Sequence, residues 1–140
     1  MSKIFWDTNL FVYLFEKHPN YWKQVEKLRE RMIVRGDQLI TSSMTLGEIQ
    51  VKARKLGRID EADRYRGAIT QTASIIPFDN KAADAYAIIR EKTNIRGADA
   101  IQLACASAIG VEIFITNDVQ LQRLSIPNVH FIVPIDRVPL

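Results

Sequence analysis

The sequence has few of the residues that build redox, zinc or nucleophilic sites. Its single cysteine, Cys105, lies in the apolar run LACASA, so an internal disulfide is excluded and a buried thiol in a reducing compartment is expected. The two histidines, His18 and His130, are far apart in the sequence, which argues against a zinc site and against a catalytic triad. A glycine-rich phosphate-binding loop is also missing. The chemistry must therefore be sought among carboxylates.

Long apolar runs and a strong excess of one charge are absent too. No run approaches the roughly 20 apolar residues that cross a bilayer, and MSKIFWDTN lacks the features of a signal peptide. We therefore expect a cytoplasmic protein with no membrane partner. The net charge of +3 does not by itself indicate nucleic-acid binding. A chain of 140 residues that is 47% hydrophobic predicts one globular domain, residues 1–140.

Short apolar runs alternate with segments of helical periodicity along the whole chain. This alternation predicts an α/β fold with three layers, α/β/α, around a mostly parallel sheet of about five strands. The predicted strands are 4–6, 38–41, 74–77, 112–115 and 129–132. The predicted helices are 10–15, 21–34, one that begins after Ser42 or Ser43, 58–70, 80–92, 98–109 and 117–124.

Four acidic residues are predicted to meet at one edge of this sheet. Asp7 and Asp118 each follow a strand, Glu48 lies one to two turns into the helix after the second strand, and Asp99 lies in the first turn of its helix. Ligands of parallel sheets bind beyond the carboxyl ends of the strands, where the strand order reverses. Taken singly, Asp7, Asp99 and Asp118 have structural explanations as helix caps or dipole partners, and Glu48 as a solvated side chain.

Taken together, the four acids indicate a divalent-cation site. Carboxylates that converge would repel one another and have raised pKa values without a cation. Oxygen ligands favour Mg²⁺ or Mn²⁺, which keep several waters in their coordination shell. The pattern therefore indicates metal-assisted phosphoryl chemistry.

Four short motifs, in order, resemble those of PIN domains. They are Asp7-Thr8-Asn9 after the first strand, Glu48-Ile49 in a mid-chain helix, the run DAIQLA from Asp99 to Ala104, and Thr116-Asn117-Asp118. The length and the extent of the match most resemble VapC-type ribonuclease toxins of prokaryotic toxin–antitoxin pairs. The family sheet reverses its order between the first and fourth strands, so the resemblance implies that Asp7 lies beside the Thr116–Asp118 loop.

The resemblance also implies roles and partners. Asp7, Glu48 and Asp99 would form the core acidic set that holds Mg²⁺ or Mn²⁺, with Asp118 as a fourth acid. Thr8, Asn9, Thr116 and Asn117 would hold these carboxylates or their waters. The implied activity is endonucleolytic RNA hydrolysis by a metal-activated water, leaving a 5′-phosphate and a 3′-hydroxyl. The implied partners are RNA, a VapB-like antitoxin that blocks the site, and a second copy in a homodimer.

A basic cluster lies just beyond Glu48 in the sequence. Lys52, Arg54, Lys55 and Arg58 are candidates for RNA-backbone contacts, although the same residues would suit a solvated helix face or an antitoxin interface.

Three alternative functions remain open. One is a housekeeping PIN nuclease of RNA maturation, and another is a non-catalytic PIN interaction module. A phosphatase with Asp7 as its nucleophile ranks last, because Asn9 stands where one large class of such enzymes has a second acid.

Overall fold

The structure, a computed structural model, describes residues 2–140, so Met1 of the predicted domain 1–140 lies outside the described residues. Its strands are β1 (Lys3–Trp6), β2 (Gln38–Ser42), β3 (Ser74–Ile76), β4 (Val111–Ile115) and β5 (Val129–Val133). Its helices are α1 (Thr8–Phe15), α2 (Trp22–Arg35), α3 (Ser43–Lys55), α4 (Ile59–Thr72), α5 (Asn80–Lys92), α6 (Gly97–Ile109) and α7 (Val119–Gln122), followed by a 3₁₀ turn at Ile135–Arg137. The predicted α/β fold with five strands is confirmed.

The five strands form one fully parallel sheet in the order β3-β2-β1-β4-β5. From β1 the chain first builds the sheet through β2 and β3, and then crosses to the other side of β1 to build β4 and β5. The strand order therefore reverses between β1 and β4, and a crevice opens there at the carboxyl ends of the strands.

Alternation along the strands divides the core into two apolar layers. Ile4 and Trp6 of β1 face one layer, which contains buried residues of α1, α2, α3 and α4. Phe5 faces the other layer, which contains buried residues of α5, α6 and α7, and its ring stacks on that of Phe114 at 4.8 Å between centroids. The sheet is therefore covered on both faces, which completes the three-layer architecture.

The helix boundaries follow capping chemistry. Ser42 begins α3 by accepting a hydrogen bond from the Met44 amide, and Gly110 follows the end of α6 with φ of 75°, a conformation that few other residues adopt cheaply. The predicted helix 117–124 is shorter than expected, because Asp118 caps α7 from outside and only 119–122 are helical. Within residues 2–140, none of the helices combines the length and the apolarity that a bilayer crossing needs.

Replacement of Phe5 tests the core. Phe5→Ala should lower the free energy of unfolding by about 3–5 kcal/mol, because it opens a cavity next to the stacked Phe114 ring. The matched control is Phe131→Ala on β5, whose side chain is 60% exposed and whose loss should change stability by about 0.5 kcal/mol or less. Urea unfolding at equilibrium measures both, and equal losses would contradict this account of the core.

Candidate functional site

Asp7 lies at the point where the strand order reverses. Its backbone amide donates to the carbonyl of Ile115 on β4 at 3.3 Å, and its side chain begins α1 by accepting a hydrogen bond from the Asn9 amide at 3.0 Å. The residue is only 8% exposed. The predicted neighbourhood of Asp7 and the loop after β4 is therefore present in the structure.

The electrostatic state of Asp7 is unusual for an aspartate. Burial, and to a smaller extent the negative charge of Asp99, raise the pKa of its carboxyl group to about 6. Hydrogen bonds from the Thr116 side chain and from the Asn9 and Leu10 amides lower the pKa and offset part of this effect. A nearby positive charge would therefore stabilise the ionised form of this carboxylate.

Glu48 reaches the same crevice from α3. Its Oε1 accepts a hydrogen bond of 2.6 Å from the hydroxyl of Thr8, the first residue of α1. The predicted contact between Thr8 and an acidic side chain is therefore found, and Glu48 is the acid involved.

Asp99 lies in the first turn of α6 and pairs with Arg96 just before that helix. The guanidinium Nε and one terminal nitrogen lie 3.2 and 3.5 Å from the two carboxylate oxygens. The hydrogen bond to Asp99 raises the pKa of Arg96, and the negative charges of Asp99, Asp118 and Glu48 act in the same direction. The sequence reasoning did not single out Arg96, although its position three residues before Asp99 was a signal for such a pair.

One cavity brings three of the four acids together. Asp7, Glu48 and Asp99 line it, along with Thr8, Asn9, Arg96 and Gln102. Asp118 does not line this cavity: its carboxylate accepts from the Gln120 amide at 2.9 Å and caps α7, while its charge still acts on Arg96. The fourth acid thus lies near the cavity and outside its wall.

Thr116 and Asn117, in the loop after β4, make different hydrogen bonds. The Thr116 hydroxyl accepts from the Asp118 amide at 3.1 Å, which folds the loop after β4 toward Asp7. The Asn117 side chain accepts from the Ile135 amide at 3.0 Å, so it anchors the 3₁₀ turn.

The basic cluster beyond Glu48 is largely paired with acids. Lys52 lies 3.0 Å from Glu16. Arg54 lies 3.8 Å from Asp63, and Arg58 lies 3.7 Å from Glu61. Lys52 and Arg58 line an apolar groove between α1, α3 and α4, and Glu48 lines both this groove and the acidic cavity.

The donor set of the acidic cavity fits a hard divalent cation. All of its charged ligand candidates are carboxylates, and the raised pKa of Asp7 reflects a cost that a cation would relieve. Across residues 2–140, no three acidic, histidine or cysteine side chains cluster tightly enough to enclose an ion by themselves. Mg²⁺ typically binds through one or two carboxylates and keeps several waters, so it does not require such an enclosing cluster.

Beneath the acids lies a largely buried polar cluster, of which the sequence analysis predicted only Thr8 as a site residue. We call it the amide–hydroxyl network; it consists of Thr8, Thr41, Ser42, Thr45 and Gln102. Thr41, Ser42 and Thr45 are fully buried, and Gln102 is 4% exposed. The available signal was Gln102 itself, an amide among the mostly apolar buried residues of α6.

Solved structures with the same fold are toxin–antitoxin complexes. VapBC2 from Rickettsia felis, bound to a DNA fragment from their promoter, matches with a TM-score of 0.76 and 22% identity over 94% of this chain and 98% of that one. DNA-bound VapBC from Salmonella typhimurium matches with a TM-score of 0.71 and 24% identity over 96% and 99%. A toxin–antitoxin complex from Klebsiella pneumoniae matches with a TM-score of 0.67 and 25% identity over 90% and 94%.

The family profile described as PIN domain matches residues 4–127, which include all four predicted acids. No curated protein matches the sequence significantly. Because the profile covers most of the chain, and the fold agrees with it, the protein belongs to the PIN domain family.

Proposed function

We propose that this protein is a Mg²⁺- or Mn²⁺-dependent endoribonuclease and the toxin of a toxin–antitoxin pair. The observation that carries the proposal is the buried carboxylate of Asp7, with its pKa raised to about 6, in one cavity with Glu48 and Asp99. Membership of the PIN domain family and the likeness in fold to VapBC complexes support a nuclease of this type.

The acidic residues have different proposed roles toward the cation. Asp7 and Asp99 are the proposed direct ligands, Glu48 orients a water molecule, and Asp118 acts from outside the cavity wall. When bound, the cation supplies an activated water and stabilises negative charge on the scissile phosphate. Thr8 holds Glu48 and Thr116 holds Asp7, as their hydrogen bonds indicate. Attack by water leaves a 5′-phosphate and a 3′-hydroxyl.

RNA is the proposed substrate, and the basic cluster beyond Glu48 would hold its backbone. Lys52 and Arg58 lie at the groove next to the acidic cavity, and Arg54 and Lys55 share the last turn of α3. The ion pairs of this cluster are exposed, and such pairs contribute roughly 0–1 kcal/mol. Phosphates can therefore replace the acidic partners at little cost.

An antitoxin segment is the proposed partner of the groove between α1, α3 and α4. The groove has apolar walls from Val12, Phe15, Ile49 and Leu56. Val12 and Glu48 line both the groove and the acidic cavity, so a segment in the groove reaches the acids at its end. The structures similar in fold are VapBC complexes, which supports a VapB-like protein as this partner. We also propose a homodimer, on the family resemblance.

Removal of either proposed ligand should abolish cleavage. Asp7→Asn or Asp99→Asn should reduce Mg²⁺-dependent RNA cleavage by more than the roughly 10–100-fold that changes around a metal site typically cost. Asparagine at position 7 still accepts the capping hydrogen bond, so the fold should persist. Purified protein and a structured RNA, with mapping of the new ends, provide the measurement.

The matched control for these variants is Asp84→Asn on the exposed face of α5, which should cleave like the wild type. Full cleavage by folded Asp7→Asn/Asp99→Asn protein would refute the assignment, and 2′,3′-cyclic phosphate ends would refute the water nucleophile.

The buried carboxylate should make stability depend on pH and on the cation. The pKa of Asp7 is raised in the folded state, so the protonated side chain contributes to the free energy of unfolding. This contribution is fully present below about pH 4 and is lost as pH rises through about 6. In EDTA, the stability of wild type relative to Asp7→Asn should thus fall by on the order of 3 kcal/mol from pH 4 to pH 7.5. At pH 7.5, Mn²⁺ should raise the melting temperature of the wild type and leave that of Asp7→Asn unchanged. Parallel pH curves for the two proteins would contradict the buried-charge account.

Expression in a bacterial host separates a toxin from a housekeeping nuclease. Induced wild-type protein should arrest growth, because uninhibited RNA cleavage is toxic, whereas Asp99→Asn should not. The measurement is colony-forming units after induction, with Asp84→Asn as a control that should remain toxic. Normal growth with active wild-type protein would favour the role in RNA maturation.

A further inference from the structure

Gln102 lines the acidic cavity, and its side-chain amide contacts three hydroxyl groups. Its Oε1 accepts a hydrogen bond from the Ser42 hydroxyl. Its Nε2 lies 3.0 Å from the Thr8 hydroxyl and 2.8 Å from the Thr45 hydroxyl. All three partners lie more than 50 residues away in the sequence, so the amide joins α6 to the ends of β1 and β2.

The orientation of this amide is fixed by its partners. Ser42 accepts from the Met44 amide at 3.2 Å as the cap of α3, which leaves its proton for Gln102. The oxygen of an amide only accepts and its nitrogen only donates. Nε2 must therefore direct its two protons at Thr8 and Thr45.

This orientation decides where the Thr8 proton points. A threonine hydroxyl has one proton to donate and lone pairs to accept with. Because Thr8 accepts from Gln102, its own proton is directed to Glu48 Oε1 at 2.6 Å. Two further hydroxyls extend this arrangement toward β1. Thr45 lies 3.1 Å from Thr8 and 2.8 Å from Thr41, and Thr41 donates to the Trp6 carbonyl at 2.9 Å.

We propose that Gln102 is a positioning residue of the active site, which acts through Thr8 to hold the Glu48 carboxylate in place over the cavity. The inference rests on the proposed function, because it assigns Glu48 to the cation site. Gln102 itself touches Glu48 only through Thr8. Apart from the partly buried Thr8 the network is buried, so it provides a rigid support for an exposed acid.

A double-mutant cycle on cation affinity tests this role. Gln102→Leu keeps the approximate size of the side chain and removes its donors and acceptor. It should weaken Mn²⁺ binding, measured by calorimetry, by about 10-fold, at the low end of what such supporting contacts cost. In a Glu48→Gln background the same substitution should change the affinity less than about 2-fold, because the group it positions is gone.

Conservative variants separate positioning from general packing. Thr8→Val, which lacks the hydroxyl, should weaken both Mn²⁺ binding and RNA cleavage as Gln102→Leu does, and Thr8→Ser, which retains the hydroxyl, should recover most of both. If Gln102→Leu does not fold, this Thr8 pair still tests the network. The matched control is Ser107→Ala, a buried polar position on α6 outside the network, which should bind Mn²⁺ normally. Urea unfolding reports any loss of stability separately.

The possible outcomes distinguish the two levels of proposal. If the wild type binds Mn²⁺ and cleaves RNA, but Gln102→Leu weakens binding equally with and without Glu48, the positioning role is overturned and the proposed function stands. Normal Mn²⁺ affinity in both folded Gln102→Leu and Thr8→Val overturns it as well. If the wild type neither binds Mn²⁺ nor cleaves RNA, the proposed function fails and this inference fails with it.

Discussion

The burial of the Asp7 carboxylate at the reversal of strand order is the constraint around which the rest of the site is arranged. An ionised carboxylate that loses water is costly unless hydrogen bonds or opposite charge replace it. Asp7 obtains hydrogen bonds from the start of α1 and from Thr116, but its pKa remains raised to about 6. The parallel topology creates this position, since β1 and β4 diverge only beyond Trp6 and Ile115. Asp7 therefore caps a helix, and its ionised carboxylate remains incompletely stabilised, so that a bound cation would stabilise it further.

The acids on α3 and α6 are stabilised in different ways from Asp7. Asp99 has a cation within the chain, Arg96, whose side chain is 80% exposed and is therefore free to exchange partners at low cost. Glu48 depends on the hydroxyl of Thr8, which in turn depends on a buried amide. The site thus combines one buried acid, one ion-paired acid and one hydrogen-bonded acid, and each would respond differently to the arrival of positive charge.

Local chemistry explains how much of this arrangement could be predicted from the sequence. Apolar runs with period two or with helical spacing, together with caps such as Ser42 and Gly110, predicted the elements and the parallel sheet. Asp7 was predictable because it directly follows a strand. Gln102 and Arg96 were not, because their roles depend on partners from other elements or on a charge that also suits a solvated helix end. The length of α7 was overestimated, because the sequence pattern placed Asp118 inside the helix, whereas in the structure it is the cap.

The position of Glu48 on α3 links the acidic cavity to the neighbouring groove. Helical spacing directs Glu48 to the acids, Ile49 and Ala53 to the groove wall, and Lys52 to its rim. Ser42 caps the start of α3 and also donates to Gln102, so this cap belongs to the same network as Thr8. A ligand that fills the groove would therefore contact the same helix that carries Glu48 into the acidic cavity. The groove and the acidic cavity therefore share α3, and Glu48 is the residue of this helix that lines both.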